Sequence, residues 1–323
     1  VSALGVIGAG AFGTALASVV AGAGATVHLF ADDAATAEEI NRQRTNERRL
    51  PGVAVAPGVR ASADLAEVTG AARLLVLAVP SPRVAEVVRA LGAVTDGRHL
   101  LVHALGAPVG MMQTASMLIQ AETSIRRVGV LAGPALARDL AEHRPCSLVV
   151  ASLFDEVIQR SRAALAVPGT LHVYGSHDLV GVELASGVSG GLTVALGLAD
   201  GLGAHPGPRA ALVCRAIAEG TRLLVAAGAR ERTFSGLAGL GNLLVRAASE
   251  RSDDYRLGLE IARGEPLTRK ETEGSRAAVA AVQLADRLNV RVRTLAAVAA
   301  VTHGGVPVAQ AAARLSEGAA EEE

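Results

Sequence analysis

Apolar residues in the first half of the chain fall into short runs separated by polar, helix-like segments; in the second half they recur at helical spacing over longer stretches. Leu4 to Ile7 is one such run, Thr26 to Phe30 a second, and Leu74 to Val79 a third that ends at Pro80 and Ser81. Runs of this length with turn residues behind them predict buried parallel strands that deliver loops at their C-terminal ends. Val53 to Val59, His99 to Ala104, Val128 to Leu131, Ser147 to Ala151 and Leu171 to Tyr174 extend the series. Helices are expected at Ala34 to Arg42, Pro82 to Leu91, near Met111 to Ala121, and at Phe154 to Ala166, so the alternation reads as βαβ throughout. Beyond Asp178 the strand signals stop. Helices are predicted over Leu179 to Gly201, Gly207 to Ala227, Leu237 to Ser249, Arg269 to Leu288 and Pro307 to Ala312, with Asp178 placed to cap the first. The pattern divides the chain into an α/β domain over 1–178 and an all-helical domain over 179–323.

Composition narrows the class. A chain of 323 residues, 50% apolar and 19% charged, can bury two cores. The zero net charge, with no long basic run, argues against a nucleic-acid surface. Cys146 and Cys214 have neither paired nor metal-type spacing and read as two reduced, buried thiols, with no metal site. No basic segment precedes the first apolar run, so it is not read as a signal peptide, and a cytoplasmic protein is expected. Leu184 to Leu202 contains Gly187 and Gly191 in a GxxxG spacing, but Asp200 and several small residues fit a buried core helix, so no membrane partner is expected.

The first candidate chemistry lies in LGVIGAGAFGTALA, Leu4 to Ala17. Gly8, Gly10 and Gly13 stand in GxGxxG spacing between a strand and a helix, which allows a tight turn, close approach of backbone to a pyrophosphate, and close helix-to-strand packing. The second strand ends at Asp32 and Asp33, where a carboxylate can hold a ribose 2′-OH and repel a 2′-phosphate. NAD is therefore expected ahead of NADP. The same aspartates can also open the helix at Ala34.

Several blocks together resemble the NAD(P)-dependent glycerol-3-phosphate dehydrogenase family of bacteria: GAGAFGTALA at Gly8, NERRLPG at Asn46, AVPS at Ala78, GPALA at Gly133, GVEL at Gly181, ADGLG at Ala199, RTFSGLAGLG at Arg232 and TEG at Thr272. The resemblance implies a Rossmann-type parallel sheet domain followed by an all-helical C-terminal domain of the 6-phosphogluconate-dehydrogenase-like kind. It also implies interconversion of glycerol 3-phosphate and dihydroxyacetone phosphate, which supplies glycerophospholipid precursors; the apolar character of the helical domain points to a homodimer. By the same resemblance the dinucleotide would touch Gly8, Gly10, Ala11, Phe12, Gly13, the Pro80 loop, Ala137 and Glu273, in addition to Asp32 from the charge argument; many relatives have an arginine that suits NADP where Asp32 stands.

The substrate side departs from the family pattern. Where the resemblance implies lysines, the chain has Leu105 before Gly106 and Ser189 on the first helix of the second domain, followed by Gly190 in place of asparagine. Near Gly133, Ala135 takes the place of a phosphate-side serine; Asn242 replaces an aspartate, and Asp253 and Asp254 replace an arginine and an asparagine. Lys270 is the only lysine in the chain. A lysine that polarises a substrate oxygen and moves its proton contributes roughly 10² to 10⁴ in rate. The glycerol-3-phosphate activity is therefore expected to be lost or altered. Three readings follow: an NAD-binding relative without that activity; a dehydrogenase for another small molecule, with His103 as rebuilt acid/base on the same strand face as Leu105; or a module whose NAD(H) occupancy is read by a partner protein. Arg215, Arg246, Arg251 and Arg256 can either receive an anion or pair with Glu250, Asp253 and Asp254.

Overall fold

The computed structural model describes residues 3–104 and 113–317, except the side chains of 314–317. Among them the chain forms two compact units, one of residues 3–104 and 113–179, the other of residues 180–317.

The first unit is built on an eight-stranded sheet: β1 (Leu4–Ile7), β2 (Val27–Phe30), β3 (Val59–Ser62), β4 (Leu74–Leu77), β5 (Leu100–His103), β6 (Arg127–Ala132), β7 (Cys146–Ser152) and β8 (Leu171–Ser176). The strand order is β3-β2-β1-β4-β5-β6-β7-β8. Strands β1 to β6 are mutually parallel, so their C-terminal ends share one edge of the sheet. Strands β1 and β4 are buried along their whole length, as continuous apolar runs in a covered parallel sheet should be. The covering helices are α1 (Ala11–Gly22), α2 (Ala34–Arg42), α3 (Leu65–Ala71), α4 (Val84–Val94), α5 (Ala115–Glu122), α6 (Ala137–Ala141) and α7 (Asp155–Leu165).

Two expectations are corrected. The third strand follows Pro57 and Gly58 and does not span 53–59: Val53 and Val55 are buried, but Val55 donates its N–H to the loop carbonyl of Arg44. The βαβ alternation also breaks once. β7 runs antiparallel to β6, because the short α6 turns the chain back beside the strand it has just left. Helix α3 carries no long apolar period, yet Asp64 caps it by accepting from the N–H groups of Ala66 and Glu67.

The second unit is helical: α8 (Leu179–Gly201), α9 (Pro206–Ala226), α10 (Asn242–Arg246), α11 (Asp253–Arg263), α12 (Glu273–Leu288), α13 (Arg293–Thr302) and α14 (Val308–Glu317). Helix α8 is long and apolar enough to cross a membrane, but 94% of its apolar window is buried. Its glycines serve close packing instead: a Cβ at Gly197 would lie 2.2 Å from the carbonyl oxygen of Tyr255, on α11. The helix expected over 237–249 is shorter and begins with a π-turn, Leu237–Gly241, that runs into α10. Helix α12 starts at Glu273 and not at Arg269, because Thr272 and Ser275 form a reciprocal capping box. Both cysteines are free, and Cys146 is buried as expected. Cys214 is exposed: it lies on a face of α9 that its buried neighbours Leu212 and Ala216 do not share.

Candidate active site

In the first unit the glycine loop leaves the C-terminal end of β1. Gly8 adopts φ +119°, a conformation open to glycine, and a Cβ there would lie 2.6 Å from the carbonyl oxygen of Ala78 after β4. Gly13 is closer still, its would-be Cβ 2.0 Å from the Gly8 carbonyl oxygen, so α1 rests directly on the loop backbone. Gly10 differs from both. As N-cap of α1 it is extended and offers no side-chain cap, there is no acidic residue in the first turn, and a Cβ added to it would meet only the Ala78 oxygen at 4.0 Å. Uncapped first-turn N–H groups beside open space suit an anion, and these residues fit the pyrophosphate of a dinucleotide. Asn46, buried in the loop after α2, fixes this backbone by donating its amide to the Ala9 carbonyl and the Thr14 hydroxyl, both at 2.9 Å.

The other expected residues of this unit lie along the same sheet edge. Asp32 follows β2, Pro80 precedes the 3₁₀ turn Ser81–Arg83 after β4, and His103 closes β5 with its side chain buried. Gly133 and Ala135 stand in the loop after β6, and Ala137 is the first residue of α6. Asp33 caps α2: the Thr36 backbone N–H, 2.7 Å away, and then its hydroxyl hold the Asp33 carboxyl below its ordinary value, with Arg48 adding to the effect. Asp32 pairs with Arg83, whose guanidinium also bonds Glu86 and thereby lowers the Glu86 carboxyl. Leu105 lies outside the described residues.

The second unit gathers Ser189, Asn242 and Asp254 into one hydrogen-bonded chain, and Arg246 joins them. Ser189, fully buried on α8, donates to the Ser186 carbonyl at 2.9 Å and accepts from the Asn242 amide at 3.2 Å. Arg246 Nε donates to Asn242 Oδ1 and its Nη1 to Asp254 Oδ2, both at 3.0 Å. Asp254 Oδ1 in turn accepts from the backbone N–H of Gly274 at 2.8 Å, at the start of α12. A Cβ at Gly190 would lie 3.3 Å from Asp254 Oδ2 and 3.4 Å from Arg246 Nη1, so a larger side chain at 190 would take the space the ion pair fills. Asp253 stands apart. It is 41% exposed and pairs with Arg256 and Arg269. Glu273 pairs with Arg276 on the first turn of α12, and Lys270 is exposed on the segment before that helix.

Known proteins agree with this architecture. Residues 3–157 match the model of the NAD-dependent glycerol-3-phosphate dehydrogenase N-terminus and residues 178–313 that of its C-terminus. The chain belongs to this family. It is 36% identical over 309 residues to a glycerol-3-phosphate dehydrogenase [NAD(P)+] of Streptomyces coelicolor, covering 93% of this chain and 92% of that one. The enzyme of the same name from Azotobacter vinelandii is 37% identical over 259 residues, 80% of this chain and 76% of its own. Among solved structures, glycerol-3-phosphate dehydrogenase from Coxiella burnetii superposes with a TM-score of 0.91 at 26% identity, over 98% of this chain and 99% of its own.

Within this glycerol-3-phosphate dehydrogenase family, the chain carries a nicotinamide-cofactor domain of Rossmann type and a helical second domain. Three residues of the candidate site were given no particular role by sequence reasoning. Asn46 belongs to a recognised block, but its contacts lie more than 30 positions away in sequence. Arg246 was one of four arginines open to an anion or an ion pair, and the structure places it in the pair with Asp254. Arg83 falls in the helix expected over Pro82 to Leu91, whereas the structure puts it in the 3₁₀ turn before that helix, 51 positions from the aspartate it holds.

Proposed function

We propose that this chain binds a nicotinamide dinucleotide along the sheet edge of its first unit, NAD ahead of NADP, and that its interconversion of glycerol 3-phosphate and dihydroxyacetone phosphate is lost or altered. Such a cofactor, when bound, accepts or donates a hydride. The open, uncapped start of α1 beside Gly10 supports the cofactor half of the reading, and Asp32 supports the preference for NAD.

The observation that carries the substrate half is the closed chain Ser189, Asn242, Arg246, Asp254. A proton-shuttling group must exchange its proton near neutral pH. Neither the Ser189 hydroxyl nor the Asn242 amide does so, and a guanidinium does not give up its proton to a substrate at neutral pH. The set carries one positive charge, on the partly buried Arg246, and one negative charge, on the buried Asp254, that neutralise each other, which leaves little net attraction for a phosphate dianion. His103, buried at the C-terminal end of β5, supports the second reading, a dehydrogenase for a different small substrate with a rebuilt acid/base.

Spectrophotometric NADH oxidation with dihydroxyacetone phosphate, beside an NADH titration of the same preparation, tests both halves. Binding without turnover is the expected result. Turnover on the order of 1 to 10³ per second would overturn the substrate half, and absence of binding the cofactor half. If another substrate is found, loss of its turnover in His103→Ala supports the second reading, and an unchanged rate rejects it.

A further inference from the structure

We propose that Arg83 sets how strictly this chain discriminates between the two nicotinamide dinucleotides, by reaching across the adenosine end of the groove to Asp32. The inference rests on the cofactor reading above. In the sheet, β2 and β4 flank β1 on opposite sides. Asp32 lies two residues past the end of β2, and Arg83 lies in the turn after β4. An ion pair between them therefore passes over the C-terminal end of β1, where the glycine loop begins. It ties the two banks of the groove together.

The contacts of Arg83 are divided. Its Nη1 pairs with Asp32 Oδ2, while Nε and Nη2 bond the two carboxylate oxygens of Glu86 at 3.3 and 3.0 Å. The pair is accessible, with side-chain exposures of 39% for Arg83 and 44% for Asp32. Beside it, Arg48 holds Asp33 at 2.9 Å. Each aspartate after β2 is thus already matched by an arginine from elsewhere in the unit.

This changes what Asp32 does for selectivity. An unopposed carboxylate accepts the 2′-OH of NAD(H) and repels the 2′-phosphate of NADP(H). With Arg83 on it, the 2′-OH must compete with a guanidinium for the same oxygen. A 2′-phosphate has the opposite relation to Arg83, because it can take the guanidinium as a charge-assisted, two-pronged partner. Glu86 already holds Arg83 through two N–H groups, so the guanidinium has an anchor to retain when a ribose hydroxyl takes over Asp32. Asp32 favours NAD, Arg83 softens that preference, and Glu86 limits how far Arg83 is available to a phosphate.

Fluorescence titration of NADH and NADPH at one fixed ionic strength, on the full chain and on R83M and E86Q, tests this, with thermal melts to verify folding. The expected result is that R83M shifts the affinity ratio toward NADH by roughly tenfold or more, the scale of one charge-assisted hydrogen bond. E86Q shifts it toward NADPH. Folded R83M and E86Q proteins that both bind NADH with the parent's ratio overturn the inference while leaving the cofactor reading intact. A parent chain that binds neither nucleotide overturns the cofactor reading and this inference with it.

Discussion

Two helix starts in this molecule use the same backbone device to different ends. Helix α1 begins with Gly8 pressed against the backbone after β4 and Gly13 against the Gly8 backbone, and its first turn has no side-chain cap. Helix α12 begins at a comparable squeeze: a Cβ on Gly274 would lie 2.3 Å from the Gly190 carbonyl oxygen. Here, however, the capping box of Thr272 and Ser275 and the Asp254 carboxylate serve the helix start, and Arg246 balances the charge. The N-terminus of a helix attracts anions wherever it lies. One start leaves room for an anion from outside, and the other takes a carboxylate from its own chain. Close glycine packing alone therefore does not distinguish a ligand site from a sealed junction; the side chains within reach do.

The largest expected effect comes from opening the sealed start. In Asp254→Ala, Arg246 keeps its charge at 22% side-chain exposure and loses its counter-ion. Breaking a buried pair from one side costs about 3–5 kcal/mol, and urea denaturation should show a loss near the lower end, since Arg246 is only partly buried. A loss under about 1 kcal/mol would mean that water takes over the guanidinium and that the junction is not sealed.

The open start should respond differently at its two glycines. Gly13→Ala places a methyl against the Gly8 backbone and should cost about 1–3 kcal/mol or more, together with NADH binding. Gly10→Ala has no such neighbour, and its stability should stay within about 0.5 kcal/mol while NADH affinity falls. Equal stability losses at the two positions would show that Gly10 is as enclosed as Gly13, and the contrast between the helix starts would fail.

What the sequence made legible follows the range of the interactions involved. The β1 run, its glycines and α1 are specified by residues within a few positions of one another, and so are β4 with its terminating Pro80 and α2 with its Asp33 cap. The α3 cap was equally local, with Asp64 directly before Leu65, but the helix behind it is too short to show a period. By contrast, Asn242 meets Ser189 across 53 positions and Gly274 meets Asp254 across 20. No periodicity reports such pairings. Position-by-position reading of the family pattern flagged 189, 190, 242 and 254 as separate departures. Only the fold shows that Gly190 leaves the space in which Asp254 and Arg246 join the other two.

The smallest expected effect concerns a third helix start of the sealed kind. Glu219 on α9 is buried and accepts the backbone N–H groups of Thr294 and Leu295 at 2.8 and 2.9 Å, at the beginning of α13. Burial outweighs those hydrogen bonds and raises its carboxyl above the ordinary 4.5. The folded chain therefore holds this proton to higher pH than the unfolded chain does. Stability from the protonated group is complete below the ordinary value and is lost as pH rises through the raised one. Glu219→Gln has no proton to lose, and the amide it sets against two N–H donors adds an offset independent of pH. The stability of wild type minus that of Glu219→Gln, measured by denaturation from pH 4 upward, should therefore fall with rising pH. A difference that rises instead would show that the two N–H bonds outweigh burial and hold the carboxyl below its ordinary value. In that case the α13 start would stabilise the anion itself, as an N-terminus open to an external ligand does.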